Sequence, residues 1–149
     1  MSQLKYFLAI IFISALSLVN AQAQVNFRSN DFKTALNDAE KMSSPVMIYF
    51  TADWCQPCKL MDRESFHDTT ISGMLNDNFK SYKFDIEKEK DGENIANKYK
   101  VGAYPTLVFI DKSGKETGRV EGYYSKDVVL NTVKSQVQKC AKRNFTTFR

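Results

Sequence analysis

Histidine is nearly absent from this sequence: His67 is the only one in 149 residues, and there are only three cysteines, Cys55, Cys58 and Cys140. That scarcity argues against a zinc centre, which draws about four ligands from cysteine, histidine and carboxylate. Cys55 and Cys58 form one close pair. Beyond them only His67 and Cys140 are candidates, and no second pair exists. A lone histidine in "SFHDTT" fits a surface or capping role better than a ligand. After the first 23 residues no apolar run approaches the roughly 20 residues of a membrane span. Basic stripes with interleaved aromatics are missing too, which removes the usual footprint of a nucleic-acid partner. The net charge is +4, Lys5 included, and the lysines and acids of "EKEKDGEN" and "DKSGKE" are mixed as on solvated faces. There is no internal repeat and no low-complexity linker, so the length suits one domain.

The first stretch falls outside that domain. "MSQLKYFLAIIFISALSLVNAQAQ" has Lys5 as its only charge, then an apolar run from Tyr6 to Val19 broken by Ser14 and Ser17, then Ala21-Gln22-Ala23. This is the pattern of a secretory signal peptide. It predicts a leader over 1–23, cleaved after Ala23, and a single domain over 24–149. No lipidation cysteine lies near the cut. Export leads to an oxidising compartment, where disulfides persist. Three cysteines leave at least one thiol without an intramolecular mate, and Cys140 is the odd one.

Hydrophobic spacing supplies the elements. Ser29 or Asn30 can cap a helix over about 31–41, with Phe32, Ala35, Leu36 and Ala39 at helical spacing, ended by Ser43-Ser44-Pro45. "VMIYFTA" reads as a buried strand. A helix is expected from Gln56 or Pro57 to about Phe66; proline in the first turn forfeits no hydrogen bond. Next come a short helix in "TTISGMLNDNF", a strand in "KSYKFDIE", a helix in "GENIANKYK" and a strand in "PTLVFID". The turn Lys112-Ser113-Gly114 leads to a hairpin partner in "KETGRVEG". A last helix runs from about Lys126 to Cys140, with Val129, Leu130, Val133 and Val137 on one face. The tail "KRNFTTFR" shows no clear structure. A right-handed crossover makes the first two strands parallel and the tight turn makes the last two antiparallel. The fold class is therefore α/β, a central mixed sheet with helices on both faces.

"TADWCQPCKL" carries the chemistry. A C-x-x-C pair on the first turn of a helix can be a redox switch, a metal clip or a structural staple. The helix N-terminus favours negative charge and lowers the pKa of the first thiol, so Cys55 is the candidate nucleophile. Cys58, one turn deeper, is the candidate resolving thiol. A staple across so short a loop constrains the unfolded chain little.

"ADWCQPCK" resembles the W-C-x-P-C-K active site of the thioredoxin family, and "VGAYPTLVFID" resembles that family's V-x-x-x-P-T strand. The resemblance covers about 27–138. It implies a thioredoxin fold, with Cys55 and Cys58 as the redox-active disulfide, Cys55 exposed and Cys58 buried. It implies that Trp54 flanks the site and that Pro105 is the cis-proline, with the backbone of Tyr104 pairing with the substrate chain. The dithiol is itself the redox centre, so no cofactor is implied.

Three positions depart from the family. The buried aspartate six residues before the first cysteine is Tyr49 here, a poor base at neutral pH. Asp62, one helical turn after Cys58, is the candidate substitute, and Asp53 the nearer but more solvent-facing acid. Arg63 stands where a helix-kinking proline is usual, which resembles the exported branch of the family. Gln56-Pro57 replaces Gly-Pro, and lacking the histidine of strong oxidants it leans toward a reductant.

The expected protein is thus an exported thiol–disulfide oxidoreductase, leaning to reductase, monomeric, acting on protein disulfides or thiols. A bacterial periplasm is the expected place, with extracellular release as the variant, and a membrane disulfide reductase the expected electron donor. A disulfide oxidase or isomerase, and a redox-inert peptide- or metal-binding module, are the alternatives. Tyr123 and Tyr124 are expected to serve as core or helix-start packing rather than as a docking rim. Cys140 is expected as a half-buried or exposed thiol rather than one linking two copies.

Overall fold

All six positions of strand β2 (Val46–Thr51) are buried. A strand covered on both faces belongs inside a sheet. The computed structural model, which describes residues 24–28, 33–35, 37, 44–89, 92–111 and 113–146, puts it there. The sheet has five strands in the order β1-β3-β2-β4-β5. They are β1 (Phe27–Arg28), β3 (Lys80–Asp85), β4 (Thr106–Ile110) and β5 (Glu116–Glu121) around β2. β2 runs parallel to β3 and antiparallel to β4, and β4 and β5 are antiparallel. Helices α1 (Gln56–Glu64), α2 (Thr69–Asn78), α3 (Gly92–Lys98) and α4 (Lys126–Thr146) complete the described elements. The class is the expected one, a mixed α/β sheet covered on both faces.

Alternation along the strands makes two cores. On one face Met47, Tyr49, Leu107, Phe109 and Val120 pack against Met61, Ile71, Leu75, Val129 and Val133 of α1, α2 and α4. On the other, Ile48, Phe50, Tyr82, Phe84 and Val108 meet Ile95, Ala96 and Tyr99 from α3 and just beyond it, and Ala35. Each such side chain contributes about 2 kcal/mol by leaving water. Gly118 leaves room for α4 to pack here, since a Cβ at that position would lie 2.1 Å from Nε2 of the buried Gln136 and push its amide aside.

Three elements differ from the sequence reading. β1 was not expected; it pairs parallel to β3 through Phe27–Ser81 and Arg28–Tyr82, and two residues are too few for a periodic signal. α4 runs past Cys140 to Thr146, through part of the tail expected to lack structure. No glycine or proline follows Gly122, so nothing in the chain stops the helix there. The helix expected over 31–41 lies mostly outside the described residues; 33–35 and 37 are helical. The leader over 1–23 also lies outside them. Among the described residues no helix is long and apolar enough to cross a membrane.

Candidate redox site

Strand β2 ends at Thr51, and the chain turns at once into α1. The Cys55 N–H closes the turn onto the Ala52 carbonyl at 3.0 Å. Cys55 is the N-cap of α1, extended at φ −77° and ψ 96°, and its Sγ accepts from the Cys58 N–H at 3.2 Å. The sulfur thus sits among the unpaired N–H groups of the helix start, where negative charge is favoured. Pro57 lies in the first turn. Cys55 and Cys58 are joined by a disulfide with Cα atoms 5.3 Å apart. The resemblance implied an exposed attacking cysteine. In this oxidised state Cys55 is 2% exposed, scarcely more than Cys58 at 1%.

The surface around the pair is aromatic. Trp54 is 60% exposed, and its indole N–H donates to Glu87 Oε1 at 3.1 Å. Its ring stands edge-on to Tyr104, with centroids 6.1 Å apart. The Tyr104–Pro105 peptide is cis, and the Pro105 carbonyl accepts from the Gly122 N–H at 2.7 Å. Gly122 has φ +85°, a left-handed conformation that glycine adopts freely. Tyr123 and Tyr124 follow it, and here the structure corrects the sequence reading. Both are exposed, and the Tyr123 hydroxyl donates to Glu64 Oε2 at 2.5 Å, reaching the last residue of α1. A tyrosine whose hydroxyl finds a surface carboxylate has no need of the core.

Behind the disulfide stands Tyr49, fully buried, against Phe66 at 4.9 Å and Phe27 at 5.7 Å between ring centroids. Its hydroxyl donates to the Cys58 carbonyl at 3.2 Å. Burial, then the charge of Asp62, push its pKa well above the usual tyrosine value. It is a neutral donor to the backbone of Cys58 and no base. Asp62 is half-buried and paired with Lys83 at 2.8 Å, and the Lys83 ammonium lies 5.3 Å from the centre of the Tyr49 ring. Asp62, Lys83, Lys59, Asp53 and Lys88 line an open cleft of about 410 Å³ beside α1. Asp53 faces solvent and pairs with Lys88, which holds its carboxyl below the usual range.

Glu87, Lys83 and Glu64 were missed in the sequence. Glu87 and Lys83 come from around the end of β3, and only tertiary pairing brings them to the site. His67 is exposed and its Nδ1 lies 2.7 Å from the Asp62 carbonyl near the end of α1, the expected capping role. Cys140, half-buried on α4, takes no part in the disulfide. Among the described residues no group of three or more histidines, cysteines and acids could hold a metal ion.

Known proteins resemble this chain in sequence and fold. The family model of a thioredoxin-like domain matches residues 32–136. The thiol:disulfide interchange protein DsbD of Campylobacter jejuni is 32% identical over 106 residues, which is 70% of this chain but only 18% of that protein. Mitochondrial thioredoxin O2 of Arabidopsis thaliana is 36% identical over 116 residues, covering 73% of this chain and 64% of that protein. The chain therefore spans less than a fifth of the first relative and just under two thirds of the second. The solution structure of a proposed disulphide-isomerase from Bacteroides thetaiotaomicron superposes with a TM-score of 0.66 at 36% identity, covering 76% of this chain and 94% of that one.

Proposed function

The chain belongs to the thioredoxin-like family of thiol–disulfide oxidoreductases, and on that footing we propose that it is an exported reductase of protein disulfides in which Cys55 attacks and Cys58 resolves. The observation that carries the proposal is the disulfide itself, seated at the N-terminus of α1 and following Trp54, whose ring stands edge-on to the Tyr104 that precedes the cis Pro105. In the reduced protein the Cys55 thiolate attacks one sulfur of a substrate disulfide. The substrate S–S bond breaks, a mixed disulfide forms, and the first substrate thiolate leaves and takes up a proton. Cys58, once deprotonated, attacks the Cys55 sulfur. The Cys55–Cys58 bond forms and the second substrate thiol departs, so two electrons have passed to the substrate.

Trp54, Pro105 and the backbone of Tyr104 form the docking groove. Tyr49 holds the Cys58 carbonyl and leaves the proton to another group. We assign that proton to Asp62, one helical turn after Cys58 and ion-paired with Lys83 at the lining of the charged cleft. Gln56 and Pro57 set the potential between the cysteines, in a family whose members span roughly 150 mV, or about 7 kcal/mol for two electrons. Export rests on the leader pattern of residues 1–23, and a membrane disulfide reductase is the proposed donor that resets the dithiol. A second reading, isomerase, is favoured by the likeness to the Bacteroides protein.

The test is the reduction potential of the Cys55–Cys58 couple in a dithiothreitol or glutathione series. A value near thioredoxin's, about −270 mV, supports the reductase, and one near about −180 to −120 mV moves the reading to isomerase or oxidase. Absence of a reversible couple, or insulin reduction that survives Cys55→Ser, would sink it altogether.

A further inference from the structure

Strand β5 reaches the docking loop by a second route, through side chains. In a regular strand residues three apart point to opposite faces. The β4–β5 register breaks between Phe109 and Ile110: Phe109 faces Gly118 and Ile110 faces Glu116, so Thr117 is an extra residue. Such a bulge restarts the alternation. Glu116, Arg119 and Glu121 therefore share the face that looks toward α3.

Arg119 is the hub. Its Nε and one terminal nitrogen meet both oxygens of Glu116 at 2.7 and 2.6 Å, and the other terminal nitrogen meets Glu121 Oε2 at 3.1 Å. The same guanidinium donates to the Tyr99 carbonyl at 2.6 Å and the Lys100 carbonyl at 3.4 Å. Lys100 sits at φ +51°, a conformation unusual outside glycine. The remaining oxygen of Glu121 accepts from the Gly102 N–H at 2.8 Å. Residues 99–102 are thus gripped by one guanidinium and one carboxylate. Two residues on comes Tyr104, then Pro105, which the Gly122 N–H holds from the other side. A planar, five-donor guanidinium fixed by two carboxylates is a stiffer support than a lysine would be.

We propose that Arg119 and Glu121 form a strut that positions the Tyr104–Pro105 loop for polypeptide substrates. Neither residue touches the disulfide, so they are positioning residues and not catalytic ones. The inference rests on the docking role given to Tyr104 and Pro105 above. It separates two kinds of substrate: a peptide disulfide must lie along the loop, whereas a small disulfide needs only the sulfur of Cys55.

The test compares Arg119→Met, Arg119→Lys and Glu121→Gln with the wild type in the purified protein, using a peptide with one internal disulfide and 2-hydroxyethyl disulfide, each driven by dithiothreitol. The expected result is a KM for the peptide raised about five-fold in Arg119→Met and Glu121→Gln, with kcat and the small-disulfide rate within about two-fold. Arg119→Lys should recover part of the loss. Trp54 is the sole tryptophan and stands against Tyr104, so its emission should shift in both disruptive variants although neither residue contacts it. Rates on both substrates falling together in step with melting temperature, or an unchanged KM and an unchanged emission, overturn the strut. Glu121→Gln keeps the Arg119–Glu116 pair and serves if Arg119→Met fails to fold. A wild type that turns over neither substrate refutes the proposed function instead, and the strut then stands or falls on the Trp54 emission.

Discussion

Replacing Tyr49 by phenylalanine tests whether the residue behind the disulfide is a structural donor or a proton carrier. The ring keeps its contacts with Phe27 and Phe66, and only the hydroxyl is lost. Its acceptor, the Cys58 carbonyl, lies within α1, so the substitution strands no buried donor. The expected cost is that of one hydrogen bond, about 1 kcal/mol. The pH dependence is sharper. Burial raises the folded-state pKa of Tyr49 above its usual 10.0, so the neutral form belongs to the folded protein. Its contribution is complete below about pH 10 and is lost as pH rises further toward the folded value, at up to about 1.4 kcal/mol per unit. Tyr99, raised to about 12 chiefly by burial, adds to the alkaline loss in both proteins and cancels in the difference. Urea unfolding from pH 7 to 11 should show Tyr49→Phe less stable at pH 7 and the gap closing above pH 10. The rate of mixed-disulfide resolution should keep the wild-type pH profile between 6 and 9. A resolution rate that falls several-fold at pH 7, or loses its pH dependence, would refute the argument and make Tyr49 part of the proton path.

Three further outcomes follow from the geometry. Asp62→Asn should slow resolution by about ten-fold, so that quenched reactions accumulate the Cys55 mixed disulfide while the first attack is unchanged; an unaltered burst would remove Asp62 from the path. Glu87→Gln should leave the melting temperature within about 2 °C, since an exposed contact contributes at most about 0.5 kcal/mol, while altering Trp54 emission. Asp68 caps α2 by accepting from the Thr70 and Ile71 N–H groups and also pairs with Lys126, and the Ile71 bond first of all holds its carboxyl below the usual range. Asp68→Ala should cost about 1 kcal/mol at pH 7 by chemical denaturation, and the deficit should shrink as pH falls from about 4, where the unfolded carboxyl protonates, through the lowered value of the folded one.

The parts of this molecule legible in the chain are those written in consecutive residues. "VMIYFT" is apolar throughout because both its faces are covered, and Pro57 and Cys55 mark the start of α1 by helix-end chemistry alone. The cis bond at Pro105 is implied by the resemblance alone, whereas the close spacing of Cys55 and Cys58 and the odd count of three already single out that couple and leave Cys140 over. What escaped depends on partners far along the chain. β1 takes its strand character from β3, across more than fifty residues. Tyr123 and Tyr124 carry the composition of core residues, and for Tyr123 the Glu64 carboxylate at the end of α1 explains why it is outside. Lys83 and Asp62 look like ordinary surface charges until the parallel pairing of β2 and β3 sets Lys83 opposite Tyr49, where Asp62 meets it from α1. Thr117 gives no sign of a bulge in the sequence, since its lack of an opposing residue is set by the register of β4.

That bulge also governs how the protein can change in length. With Thr117 set aside, Gly118 and Glu116 follow one another against Phe109 and Ile110 as in an unbroken ladder. The hairpin thus carries one residue of slack, anchored by the Thr117 hydroxyl to the Phe109 carbonyl and to Gln136. Gains and losses in the Asp111–Lys115 turn can be taken up at this point without shifting the pairs nearer Pro105. The irregularity is confined to the hairpin end of the sheet, while the pairs from Phe109 to Thr106, on the side that leads to Pro105, keep an unbroken registration.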